Sequence, residues 1–339
     1  MASAPLISIV LSTYDRLQYL PETIASVLAQ TWEDWELIIA DDGSAMETRN
    51  YLSGLLRMPK IRVLWLPHSG RPAVARNAAL RCARGEYIAF LDSDDTWLPE
   101  KLERQITSLR AQPECLWNQT SFVLTDAAGS PVKGMPAAGG WILERLIRAD
   151  TVIALPSVLA SRALIEEVKG FDETLTTCED YELWIRCAAR SPIDAIAEPL
   201  TLVRRHQEHY MKPIGALHDT IRVVDRMLDA RLAGNAESYV RKRRAELWAQ
   251  LARAYAVQGQ HAAAFAALSI SAPFSCRYLI WWRGALAVAG WTLAPAAVRK
   301  GVRRCRGILR SRRARSHGSM SRRKAPGREE FIRRDSMAK

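Results

Sequence analysis

The chain has 339 residues, 48% of them hydrophobic and 25% charged, which suits one large globular domain or two moderate ones and excludes wholesale disorder. Its formal net charge of +12 is uneven: residues 299–339 hold 16 of the 48 Lys and Arg and three of the 36 acids, leaving 32 basic against 33 acidic residues in 1–298. A near-neutral body with a basic tail is not the pattern of a uniformly basic nucleic-acid-binding protein, and no nucleic acid partner is expected.

The first basic residue is Arg16, so the start of the chain lacks the charged region of a secretory signal, and its apolar run Leu6–Leu11 reads as a first strand. The polar turn Ser12-Thr13-Tyr14-Asp15-Arg16 follows, and Pro21 opens a helix with Ile24, Val27 and Leu28 at helical spacing. Trp35–Ala40 is a second strand ending in Asp41-Asp42-Gly43-Ser44. Ile61–Leu66 is a third, followed by a helix through Val74, Ala78, Leu80 and Ala83. Tyr87–Leu91 is a fourth and runs directly into Asp92-Ser93-Asp94-Asp95. This alternation predicts βαβ units and a mostly parallel sheet, with both acidic clusters at carboxyl ends of strands, where open α/β sheets bind ligands.

Beyond Pro113 the pattern is mixed. A strand is expected around Leu116–Thr125, a turn at Ala128-Gly129-Ser130-Pro131 and a short helix near Trp141–Ile147. The apolar segment Ile153–Ala160 precedes a helix over Ala163–Val168, a break at Gly170-Phe171-Asp172 and a helix beginning at Glu179-Asp180. Pro199–Val203 reads as a late strand that ends in Arg204-Arg205-His206. From about residue 213 the sequence is helical, with Ala245–Val257 and Ala262–Ser271 resembling an antiparallel pair across Gly259. Six cysteines (82, 115, 178, 187, 276 and 305) show neither CxxC nor Cys/His zinc spacing and read as reduced thiols of a cytoplasmic protein. Asn118-Gln119-Thr120 matches a glycosylation acceptor, but on a predicted strand it is read as accidental.

Five constellations carry chemistry. Asp92 and Asp94 flank a tight turn and can hold a hard divalent cation with positions left for phosphate oxygens; a solvated acidic turn is the plain alternative. Asp42 can accept from a nucleobase imide or a ribose hydroxyl, or simply belong to a β–α turn. Tyr14 can stack on a base or pack on the sheet edge. Glu179 and Asp180 supply a general base or cap their helix. His206 is a metal ligand, a phosphate contact or a solvated imidazole.

Taken in order, Leu11–Arg16, Asp41–Ser44, Ala75-Arg76-Asn77, Phe90–Asp95, Gly170–Glu173, Glu179-Asp180 and Arg204–His206 form a series that resembles family 2 glycosyltransferases of GT-A fold over roughly residues 5–210. The resemblance implies a Rossmann-like, mostly parallel sheet flanked by helices, followed by a helical C-terminal region. It implies that Ser12, Thr13, Tyr14 and Asp42 surround the nucleobase and ribose, that Arg76 approaches the diphosphate or donor sugar, and that Asp92 and Ser93 meet the donor. By the same likeness Asp94, with Asp92 and His206, holds Mg²⁺ or Mn²⁺, Asp180 is the catalytic base and Glu179 assists it. The implied reaction is an inverting single displacement from a nucleotide-sugar, UDP-linked, to a hydroxyl of a glycan or lipid-linked glycan in envelope polysaccharide synthesis. No QxxRW motif follows Asp180, which points to addition of one or few sugars.

These readings divide the chain into a catalytic domain at 1–210, a helical region at 211–275, an apolar segment at 276–298 and a basic tail at 299–339. Leu279–Val298 is twenty residues long but contains Arg283, two glycines and Pro295. With Trp281, Trp282 and Trp291 beside a polybasic stretch, it reads either as an interfacial helix docked on an anionic membrane surface or as a helix packed on protein before a solvated tail. The first places the protein in the cytoplasm, peripheral at the inner face of the membrane. Three competing functions remain at this stage: transfer to a polyprenyl phosphate, nucleotidyl transfer on a similar metal site, and a silent tethering module.

Overall fold

Strands β1 (Ile7–Thr13), β2 (Trp35–Asp41), β3 (Ile61–Trp65) and β4 (Tyr87–Asp92) pair in parallel in the order β3-β2-β1-β4. In this computed structural model, which describes residues 5–205, 213–229 and 237–275, β1, β2 and β4 are apolar on both faces because both faces are covered. Successive side chains point to opposite sides of a strand. Ile9, Leu11, Leu37 and Ile39 therefore meet α1 (Leu20–Leu28) and α2 (Met46–Leu55) through Leu20, Ile24, Val27 and Leu52. Val10, Ile38, Ala40 and Phe90 pack on the other side with Ala73, Ala75 and Ala79 of α3 (Pro72–Cys82).

Past β4 the sheet mixes directions. The remaining elements are β5 (Thr96–Trp97), α4 (Lys101–Ala111), β6 (Trp117–Thr125), β7 (Pro131–Met135), α5 (Leu143–Ile147), β8 (Val158–Ser161), α6 (Arg162–Glu167), α7 (Glu179–Ala188) and β9 (Ile193–Arg204). The order is β3-β2-β1-β4-β8-β6-β9-β5, with β7 on β6. Strand β8 runs antiparallel to β4 and β6, whereas β9 is parallel to β6. The parallel expectation thus describes the half of the sheet built from βαβ units.

Several elements differ from the sequence reading. Strand β9 begins at Ile193, six residues before the expected Pro199. Pro199 opposes Ser121 where the register shifts on both sides, so the strand absorbs the proline in a bulge rather than starting at it. Helices α2 and α4 were not expected. Helix α2 is largely polar, while α4 carries Leu102, Ile106 and Leu109 at i, i+4, i+7 and buries all three. Two-residue β5 has no local signal and exists through its pairing with β9. Asn118 is fully buried and donates to the Gln105 carbonyl, as its placement on a strand requires.

The described residues form two compact units, 5–205 and the helices from 213 to 275. The second comprises α8 (Pro213–Asp229), α9 (Glu237–Val257) and α10 (His261–Ser275). Gly259, at φ +80°, turns the chain between α9 and α10, which meet through Ala252, Ala256, Ala264 and Ala267. Helix α9 starts at Glu237, earlier than the expected Ala245. Among the described residues, no helix is long and apolar enough to cross a membrane. The expectations placed on His206, 276–298 and the basic tail lie outside the described residues.

Candidate active site

The parallel half-sheet delivers its strand ends to one place. Ser12 and Thr13 close β1, Asp42 follows β2, and Asp92, Ser93 and Asp94 follow from β4, with Ser12 opposite Asp92 and Thr13 opposite Asp41. These residues join Tyr14, Arg76, Glu179 and Asp180 around one cavity of about 520 Å³, a volume suited to a nucleotide-sized ligand. Every described site residue expected from sequence lines it.

At one end, Asp42 organises a loop. Its Oδ1 accepts from the Ser69 N–H (2.9 Å) and hydroxyl (2.8 Å), and its Oδ2 accepts from the Gly70 N–H (2.9 Å). His68 Nδ1 lies 2.8 Å from the Asp42 carbonyl, which makes it the protonated ring nitrogen, and the His68 ring stacks on Tyr14 with centroids 4.0 Å apart. Gly43 sits at φ +79°, and a Cβ there would fall 2.7 Å from the His68 nitrogen, so the close approach of the two loops requires glycine. The result is a stacked aromatic pair beside an anchored carboxylate. Thr13 Oγ1, at the cavity surface and buried, has no hydrogen-bond partner among the described residues.

At the other end, Arg76 joins two acidic groups that are distant in sequence. It projects from α3 and donates through Nη1 to Glu179 Oε1 (2.5 Å) and through Nη2 to Asp92 Oδ1 (2.7 Å). Each terminal nitrogen thus spends one of its two N–H groups on a carboxylate, while Nε is buried without a partner among the described residues. Burial alone would lower the pKa of Arg76, but Asp92 and Glu179 outweigh it and raise it. Asp92 is shifted upward by burial, with Asp94 adding and Arg76 opposing. Asp95 is raised further, by burial and then by Asp94 and Asp92, against the N–H of Arg204. Asp180 is pushed up to about 7 by burial and by Glu179, against Arg76 and the N–H of Tyr181. A carboxyl titrating near neutrality in a cleft is poised to exchange a proton.

The segment that leads into α7 is tied to α3. Asn77 donates to the Phe171 carbonyl (2.8 Å) and accepts from the Phe171 N–H (2.9 Å), so Ala75-Arg76-Asn77 and Gly170–Glu173 are stitched together across 94 residues. A Cβ on Gly170, at φ +64°, would lie 2.8 Å from Asn77 Oδ1. Cys178, at φ +62°, turns the chain into α7 and places Glu179 and Asp180 in its first turn. Non-glycine residues held in that region cluster at functional sites.

Reading the sequence alone missed His68, Gly70, Arg71, Asp95, Cys178 and Arg204 as cavity residues. Asp95 and Arg204 had a signal, since both lie within the quoted motifs, as do the cavity residues Arg16 and Ala75. Asp92 and Asp94 fit a cation such as Mg²⁺ or Mn²⁺, which takes one or two carboxylates and completes its sphere with phosphate and water. Among the described residues, no group of three or more His, Cys, Asp or Glu is placed to hold a metal, so any such ion would lean on the donor for further ligands.

A half-Rossmann sheet with acids at its strand ends, an aromatic pair beside them and a carboxylate at the start of α7 is the arrangement of a GT-A fold. The fold is shared with Staphylococcus aureus TarS 1-349 in complex with UDP-GlcNAc (TM-score 0.62, 17% identity, covering 87% of this chain and 92% of that one). It is also shared with the mannosyltransferase PcManGT of Pyrobaculum calidifontis in complex with GDP-Man and Mn²⁺ (TM-score 0.54, 17% identity, 86% of each chain). Residues 8–123 match the family described as glycosyl transferase family 2. The chain is 32% identical over 194 residues to Escherichia coli WfgD, a UDP-Glc:alpha-D-GlcNAc-diphosphoundecaprenol beta-1,3-glucosyltransferase, a match spanning 56% of this chain and 73% of WfgD. It is 32% identical over 200 residues to a Rickettsia felis glycosyltransferase, but there the match spans 58% of this chain and only 33% of the relative. The chain belongs to glycosyltransferase family 2.

Proposed function

We propose that this protein transfers a sugar from a nucleotide-sugar, UDP-linked, to a hydroxyl of a glycan or lipid-linked glycan by inverting single displacement. The observation that carries this reading is the single cavity in which the Asp92–Asp94 turn and Asp180 meet, with Arg76 bridging Asp92 and Glu179. Tyr14 and His68 give a stacking surface for the nucleobase, while Thr13 and Asp42 give polar groups for base and ribose. Asp94 and Asp92 would hold the divalent cation, which supplies charge neutralisation for a diphosphate leaving group. Asp180 takes the proton of the acceptor hydroxyl as its oxygen attacks the anomeric carbon and the bond to the nucleoside diphosphate breaks. Glu179, paired with Arg76, keeps negative charge beside Asp180 and so keeps it basic.

The donor class is supported by the UDP-GlcNAc bound to TarS, and the acceptor class by the lipid-linked sugar in the name of WfgD. The raised pKa of Asp180 favours a hydroxyl acceptor over a polyprenyl phosphate, which needs no base. A panel of nucleotide-sugars, assayed for Mn²⁺-dependent release of nucleoside diphosphate with and without glycan acceptors, tests the reading. Release of pyrophosphate instead would identify a nucleotidyltransferase, and unimpaired transfer by Asp180→Asn would point to a phosphate acceptor. We also propose that the apolar and basic segments of 276–339 hold this protein at the inner face of the membrane, in the cytoplasm. Vesicle flotation of the full chain against one ending at Ser275 tests it, and equal recovery in the soluble fraction refutes it.

A further inference from the structure

The acidic turn is gripped at three successive peptides. The Asp92 carbonyl accepts from the Asp95 N–H (3.2 Å), the Ser93 carbonyl from the Thr23 hydroxyl (3.1 Å), and the Asp94 carbonyl from Arg204 Nε (3.1 Å). The first donor belongs to the turn, the second to α1 and the third to the end of β9. Arg204 holds the turn a second time, through its main-chain N–H on Asp95 Oδ1 (2.7 Å). Its guanidinium is fixed in turn: Nη1 donates to the Ala127 carbonyl (3.2 Å), Nη2 pairs with Glu22, and the group lies 4.9 Å over the Tyr19 ring. Three nitrogens of one side chain, only 10% exposed, are thus committed to three different segments.

We propose that Arg204 is the positioning residue of Asp94: it fixes the peptide that carries the Asp94 carboxylate, so that the oxygens face the cavity before a divalent cation arrives. This rests on the reading of Asp94 as a metal ligand. Mg²⁺ and Mn²⁺ sites tolerate little error in ligand direction, and groups that orient a ligand commonly change metal affinity by 10- to 100-fold when removed. Without the Arg204 side chain the turn keeps the Asp95 N–H, the Thr23 hydroxyl and the Arg204 main-chain N–H, but the Asp94 carbonyl loses its Nε donor. The role is indirect, because the Arg204 nitrogens point to protein acceptors around the turn.

The test is Mn²⁺ binding to the full chain with UDP present, followed by electron paramagnetic resonance below the melting temperature. The variants are Arg204→Met, Arg204→Lys and, as a reference for lost ligation, Asp94→Asn. Lysine keeps a charge for Glu22 but cannot also reach the Asp94 carbonyl, so it carries the test if the methionine variant fails to fold. We expect both Arg204 variants to bind Mn²⁺ about tenfold more weakly or worse while circular dichroism shows them folded. Wild-type Mn²⁺ affinity in either folded variant would overturn the proposal and leave Asp94 a ligand. If the wild-type chain itself binds no Mn²⁺ in the presence of UDP, the metal reading of Asp94 falls and the positioning role falls with it.

Discussion

Asp180→Asn should raise stability and abolish transfer, and both effects follow from where this carboxyl sits. It occupies the first turn of α7 at the cavity wall, where burial and Glu179 push its pKa up to about 7 from a reference value of 3.8. Between those values the folded protein holds a proton that the unfolded chain has lost, so stability falls as pH rises from about 4 to about 7 and stays lower above it. Roughly three pH units at about 1.4 kcal/mol each set a ceiling near 4 kcal/mol. The side chain is open to the cavity and shares its field with Glu179, so about 2 kcal/mol is the reasonable expectation. Asparagine keeps the shape and the acceptor for the Tyr181 N–H (2.7 Å in the wild type) but carries no charge. At pH 8 the variant should therefore melt about 5 °C higher, with the gain shrinking toward pH 5, while transfer falls by about 10²- to 10⁴-fold. Thermal melts across that range and product assays at pH 8 measure both. An asparagine variant no more stable than wild type at pH 8 would refute a carboxyl held up by burial, and undiminished transfer would refute the base.

Arg76 opposes the upward shift of Asp180, so Arg76→Met should move the acid limb of kcat/KM to higher pH by about one unit and lower stability by about 3 kcal/mol. An unmoved limb would show that the Arg76 charge does not reach Asp180. Gly43→Ala forces a Cβ to within 2.7 Å of the His68 nitrogen. It should raise the KM for donor with little change in kcat and cost about 1–3 kcal/mol, read by urea melts; a KM within error of wild type counts against the stacking surface. Asn77→Ala removes both hydrogen bonds to Phe171. A loss of about 2 kcal/mol is expected, together with a lower kcat as α7 loosens, and full kcat would show that the stitch does not position Asp180.

Much of the site was legible because of a rule about parallel strands. Leu6–Leu11, Trp35–Ala40 and Tyr87–Leu91 are too apolar to face water on either side, so they must be covered by helices. Such strands point their carboxyl ends at a common ligand site. Thr13, Asp42 and Asp94 could be placed together on that ground alone. Glu179 and Asp180, whose helix lies outside the parallel half, read from sequence as a general base or a helix cap, and the resemblance to a family favoured the base. The mixed half was read less well: Pro199 looked like a strand start and is a bulge inside β9, and two-residue β5 depends wholly on its partner.

The chain's local pattern therefore determined which carboxylates exist at strand ends and which runs must be buried, since both depend on neighbours one to four residues apart. Folding decided how those carboxylates are charged and aimed. Arg76 meets Glu179 across 103 residues, Arg204 meets the Asp94 carbonyl across 110, and the loop at Ser69 and Gly70 claims the oxygens of Asp42. These pairings rest on the paths of loops and the register of β9 against β6. A buried charge takes its pKa and direction from whatever the fold brings within a few ångströms, and sequence spacing does not encode that distance.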